Sequence, residues 1–238
     1  MNVENVRSRT RAAEIARRIE DEVIADGWRV GAALGSETAF MERFEVGRSV
    51  VREAFRILES RHVAKPRRGP GGGLVVTAPE RSAVLDQASL FLEYDGFAAD
   101  DLFQMMEILE VSAVEQVSAI IDADGLTRMR EILAAEVNVG DLRFEPVTVY
   151  TELARLSGNP VLSLFIHIGT NLARTHGVRP SEGELQWIHQ HSVELVEALE
   201  AGDTLAAVRS VRRRLRGMSR RQSVSSHRIP STSSTGES

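Results

Sequence analysis

EVGRSVVREAFRIL, residues 45–58, sorts its side chains cleanly once about 100° is allowed per residue, as in an α-helix. Arg48, Ser49, Arg52 and Arg56 fall within an arc of about 100°, whereas Val50, Val51, Ala54, Phe55, Ile57 and Leu58 occupy the other side. One face is built to pack and the other to present guanidinium groups. A guanidinium is a planar fork that bonds guanine O6 and N7 in pairs or clamps a phosphate. The same spacing also suits a plain solvated face, with Glu53 and Glu59 pairing some of the arginines. The flanking sequence has to decide.

Upstream, RAAEIARRIEDEVIADG (residues 11–27) carries Ile15, Ile19 and Val23 at four-residue spacing and ends on Gly27, the pattern of an amphipathic helix with its stop. After WRVGAAL, Ser36 is placed to cap a short helix running to Phe44, and EVG forms the turn into the arginine helix. Downstream the period changes. HVAKPRR and GLVVT are strand-like and flank GPGG, which predicts a β-hairpin with a glycine-rich tip and with Lys65, Arg67 and Arg68 on its first arm. Helix, turn, helix and basic hairpin in that order predict a winged helix-turn-helix, whose second helix enters the major groove of DNA.

The rest of the chain reads differently. From residue 79 to 220 the segments near 83–94, 99–121, 125–137, 144–156, 159–175, 182–201 and 203–220 repeat apolar residues every three or four positions, with no convincing strand. The fold class expected is therefore mainly α: a winged helix-turn-helix with a small hairpin wing over residues 8–78, an all-α antiparallel helical bundle over 79–220, and a disordered Ser/Thr-rich tail over 221–238. Charge follows the same division. The formal net charge is -5, made of +3 over residues 1–78, -15 over 79–206 and +7 over 207–238. A polyanion can dock only on the first part or the tail. The tail stretch RRRLRGMSRRQS fits extra nonspecific DNA affinity, an R-R-x-S phosphorylation site at Ser223, or a solvated helix end.

Several function classes fall away. Zero cysteines exclude disulfides, thiol catalysis and thiolate zinc sites. There is no G-x-S-x-G elbow, and GPGGG lacks the G-K-[ST] ending and following helix of a phosphate cradle, so an enzyme is not expected. His189 and His191 in HQH lie about 200° apart on a helix and do not form a pair of metal ligands. With no apolar run of about 18 residues and no apolar region in MNVENVRSRT, a cytoplasmic protein without membrane contact is expected. Twenty-eight of the 29 basic residues are arginine, Lys65 being the exception, which reads as genome composition bias.

The pieces LGSE (34–37), VGR (46–48), VREAF (51–55) and GPGGGLVV (69–76) resemble, in order and spacing, the DNA-binding domain of GntR-type bacterial transcription regulators. DLFQMMEILE and LARLSGNPVL resemble the effector-binding, FCD-type domain of the FadR subgroup. The resemblance implies a sequence-specific regulator, a repressor or activator and foremost a repressor responding to a small molecule, that binds a short palindromic double-stranded DNA operator as a homodimer. It implies DNA contacts by Thr38, Arg48, Ser49, Val50 and Arg52, and by Arg68 and Gly69 in the wing; Arg48 is the best guanine reader, with Arg52 and Thr38 on phosphates. Gly47 stands where the family has Ser or Thr, and His62 where the turn before the wing has glycine, which points to a strained or altered turn there.

Many such relatives hold a divalent metal with one Asp and three His. The aligned positions here are Pro146, Tyr150, Ser192 and Arg214, so no metal or other cofactor is expected, and the arginine that relatives place in the opening helix falls at Met106. With metal and arginine gone, an effector pocket around Met106, Tyr150 and Ser192 would favour an apolar effector such as a fatty acyl group, or admit none, the residues then simply filling the core. The alternative function is a helical scaffold that uses its arginines for protein contacts without sequence-specific DNA binding.

Overall fold

The computed structural model describes residues 3–67, 69, 73–136, 148–176 and 181–225. Among these are ten helices and three strands, and the chain divides into two units after Val84, rather than after residue 78.

In the N-terminal unit, α1 (Val3–Ala25) precedes β1 (Ala33–Gly35), α2 (Glu37–Phe44), α3 (Arg48–Ser60), β2 (Ala64–Arg67) and β3 (Gly73–Val76). Ser36 caps α2 as its position predicts, its hydroxyl accepting from the Ala39 N–H at 3.2 Å. Ile15, Ile19 and Val23 of α1 are buried, as are Val51, Ala54 and Leu58 of α3, and the two helices pack together. Phe40 meets Phe55 edge to face at 5.2 Å, which fixes α2 on α3. Magnitudes show what orients α3. Each fully buried large apolar side chain is worth about 1.5–3 kcal/mol, whereas an exposed ion pair is worth about 0–1 kcal/mol. The apolar face sets the rotation and the arginines go outward as a consequence.

β1 was not legible in the sequence. It pairs antiparallel with β3, giving the order β1-β3-β2, with Leu74 and Val76 of the central strand turned into the core. Three residues are too few to display an alternation. The sheet also explains a glycine of the hairpin: a Cβ at Gly73 would lie 2.2 Å from the Gly35 carbonyl oxygen, and Gly35 itself has φ +132°. His62 sits at φ +56°, the left-handed conformation expected where glycine is replaced in that turn. Its C=O accepts from the Thr77 hydroxyl at 2.9 Å, tying the turn to the base of the wing. Trp28 donates from Nε1 to the Thr77 carbonyl at 2.7 Å, holding the end of α1 to the same point.

The second unit begins within α4 (Arg81–Asp95) and continues with α5 (Ala99–Ile120), α6 (Ala123–Glu136), α7 (Val149–Leu156), α8 (Pro160–His176), α9 (Glu182–Glu200) and α10 (Thr204–Ser225). Its core includes Val114, Leu153, Ile166, Leu195 and Leu215, all essentially inaccessible. Asn159 of SGNP accepts at Oδ1 from the Val161 and Leu162 N–H groups, and Ser181 with Glu184 forms a reciprocal cap at α9. The expected helix over 144–156 starts at Val149, residues 144–147 lying outside the described ones.

The expected tail also needs correction, since α10 runs on to Ser225 and only residues 226–238 lie outside the described ones. Arg221 places its guanidinium 4.2 Å from the Trp187 ring centre, which gives the last turns a contact that a serine-rich composition does not reveal. Among the described residues no helix is long and apolar enough to cross a membrane. Gly73→Ala is expected to cost the N-terminal unit about 1–3 kcal/mol, because the clash is with backbone, while Gly183→Ala, where a Cβ meets nothing, leaves stability within about 0.5 kcal/mol or slightly raises it. Urea unfolding followed by circular dichroism measures both.

Candidate functional site

Arg48, Ser49, Arg52 and Arg56 are all exposed along one face of α3, and Thr38 is exposed in the first turn of α2. No side chain caps α3, whose N-cap is Gly47, so its first turn is open to an anion from solvent. Val50 differs from the other expected contacts: it is half-buried against the core of the unit. Gly69 is exposed in the wing with φ +107°, a conformation that side chains rarely adopt. Lys65 and Arg67 are exposed on β2, while Arg68 lies outside the described residues.

Glu37 is the residue that sequence reasoning missed. Its carboxylate sits between the two leading arginines, with Oε1 3.2 Å from Nε of Arg48 and 3.1 Å from Nε of Arg52. Glu53 pairs only locally, with Arg56 at 3.3 Å, so the helix does not neutralise its own leading edge. One carboxylate from the preceding helix thus pairs with both leading guanidinium groups. The motif LGSE contains this glutamate, but helical periodicity inside α3 cannot reveal a partner on α2.

In the second unit, three of the positions aligned with metal ligands come together, and Pro146 lies outside the described residues. Arg214 of α10 is 4% exposed and donates from Nη2 to Oε2 of Glu110 on α5, which is fully buried. The same guanidinium lies 3.5 Å from the centre of the Tyr150 ring of α7. Ser192 of α9 is fully buried beside them; its hydroxyl is near that of Tyr150, but neither meets hydrogen-bond geometry. Oε1 of Glu110 and Nε of Arg214 likewise have no partner. Burial pushes the Glu110 carboxyl up, against the pull of Arg214, and pushes the Tyr150 hydroxyl well up, so that it stays a neutral phenol. Burial works against the charge on Arg214, but Glu110 and Tyr150 outweigh it and raise its pKa.

This corrects one expectation. The site was expected to have lost its fixed positive charge, because the opening-helix arginine is Met106; Met106 is indeed buried, packed where α5 meets Gly169. The charge comes instead from Arg214, and its counter-ion Glu110 follows Met106 by one helical turn. The histidines play other parts: His191 packs on Trp187, and His189 lies 3.7 Å from Glu136. Among the described residues no three His, Cys, Asp or Glu side chains are grouped as a metal would require.

Comparison with known proteins agrees with both units. Residues 11–76 match the family model described as bacterial regulatory proteins, gntR family, and residues 101–217 match that of the FCD domain. No curated protein matches the chain. Among solved structures, a GntR protein of Streptococcus agalactiae is 22% identical, covers 88% of this chain and 99% of its own, and superposes with a TM-score of 0.64. A transcriptional regulator GntR from Rhodococcus sp. RHA1 (19% identity, 92% and 100% coverage, TM-score 0.42) and E. coli McbR/YncC (16%, 90% and 98%, 0.43) are also similar. The first of these supports the fold, and the family models rule out the scaffold and enzyme alternatives. The chain belongs to the GntR family of bacterial regulatory proteins, and is a DNA-binding transcription regulator with a winged helix-turn-helix and a small-molecule-binding FCD domain.

Proposed function

We propose that the protein is a ligand-responsive repressor, acting in the cytoplasm as a homodimer on a short palindromic operator. The observation that carries this is the pair Arg48 and Arg52, exposed at the open start of α3 and held side by side by Glu37. Arg48 reads a guanine edge; Arg52 and Thr38 hold phosphates; Ser49 and the Gly69 wing approach the backbone, with Arg68 beside it. Val50, turned towards the core, contributes through its main chain or one methyl. One such helix reads only a few base pairs, and a two-fold dimer doubles the site. An effector then acts by favouring one spacing of the two reading heads. For that effector, an acyl chain would lie against Met106 and Tyr150 with a polar head towards Ser192 and Arg214, which requires these buried side chains to part on binding. Acyl-CoA should raise Tm and short dicarboxylates should not; the reverse would defeat the acyl assignment.

Selection of bound duplexes from a random pool is expected to yield a palindrome. Arg48→Ala should lower affinity for it by at least about five-fold and relax preference at one base per half-site. Arg52→Ala should weaken all sequences alike and reduce the slope of log K against log salt by about 1 per subunit. Enrichment indifferent to Arg48 would overturn the guanine assignment. Glu37→Gln removes a negative charge beside the phosphates while leaving a hydrogen-bond acceptor. It should tighten binding to unrelated duplex roughly two- to five-fold and narrow the ratio of specific to nonspecific affinity. Looser binding to unrelated duplex would mean instead that the arginines need the Glu37 charge to reach phosphate at all.

A further inference from the structure

Relatives with a metal in this domain bind it through one aspartate and three histidines, and the residues found here do not fit such an ion. A guanidinium carries a permanent positive charge, five N–H donors and no lone pair to give. The phenol of Tyr150 is held neutral by burial, and a serine hydroxyl is a weak neutral donor. The nearby carboxylate, Glu110, is already engaged by Arg214. A divalent cation placed among these groups would face the guanidinium at contact distance in a low-dielectric interior, where like charges repel strongly.

We propose that the Arg214 guanidinium, held by Glu110, takes the place of the divalent cation as the resident positive charge of this domain, which therefore folds and works without a metal. The geometry matches what a metal does mechanically. Arg214 on α10 is hydrogen-bonded to α5 through Glu110 and lies over the Tyr150 ring of α7, so one cation joins three helices. Unlike a metal, it cannot dissociate. It is also charge-balanced by a residue of its own chain, since Glu110 replaces the negative ligand that a bound ion would otherwise demand. The inference stands apart from the operator reading, because its readout needs no DNA.

The test uses the full chain. Tm should move by less than about 1 °C between excess EDTA and added Ni2+, Zn2+ or Mn2+, and gel-filtered protein should carry no stoichiometric metal. A rise of several degrees that EDTA reverses, together with one bound ion per chain, would overturn the proposal. Arg214→Ala should lower Tm by more than about 6 °C or prevent folding, because it strands a buried carboxylate. The double variant Glu110→Leu/Arg214→Met, which removes both charges and keeps the volume, should recover most of that loss. A double variant no better than Arg214→Ala would show that the loss does not come from an orphaned charge, and would also overturn it.

Discussion

The burial of one face of α3 beneath α1 is the constraint from which the DNA-binding unit follows. Val51, Ala54 and Leu58 are withdrawn completely from water against Ile15 and Ile19, and no rotation of α3 can keep them buried while also hiding Arg48 or Arg52. The arginines are presented because the opposite face is fixed, not because their own pairings are strong. Phe40 locks α2 at the angle that brings Glu37 alongside, and the wing grows from the same core through Leu74 and Val76. A reading surface made of exposed side chains is thus mounted on an apolar frame, as precise recognition by long side chains requires.

The effector unit inverts that arrangement. Its most consequential charges are inside, where Arg214 and Glu110 lie among apolar helices with Tyr150 as the platform. A buried ion pair adds little net stability against an apolar pair of equal volume, yet losing either partner is severe. Such a pair favours one arrangement of α5, α7 and α10 over others.

What the sequence discloses and what it withholds follow the range of the interactions involved. The order of the helices, the Ser36 cap and an altered turn at His62 were legible because they depend on residues a few positions apart. The arginine face was legible because periodicity is local. β1 was not, since its existence depends on pairing with Val75 and Leu74 some forty positions away. Glu37 is plain in LGSE, but its meeting with Arg48 and Arg52 depends on the packing of α2 on α3. Glu110 and Arg214 are 104 positions apart, and each alone looks like an ordinary surface charge on an amphipathic helix. The residue types at Tyr150, Ser192 and Arg214 could be read directly, whereas the meeting of Arg214 with Glu110 could not.

The most direct test of DNA reading through α3 is methylation interference at guanine N7 on a duplex the protein binds, with the wild type and Arg48→Ala compared on the same duplex. If Arg48 reads guanine, N7 methylation blocks the wild type at one guanine in each half-site, the two related by two-fold symmetry, and the block disappears at those guanines in the variant. Identical interference in both proteins, or none in the wild type, would contradict base reading by Arg48 and leave the arginine face as a phosphate clamp.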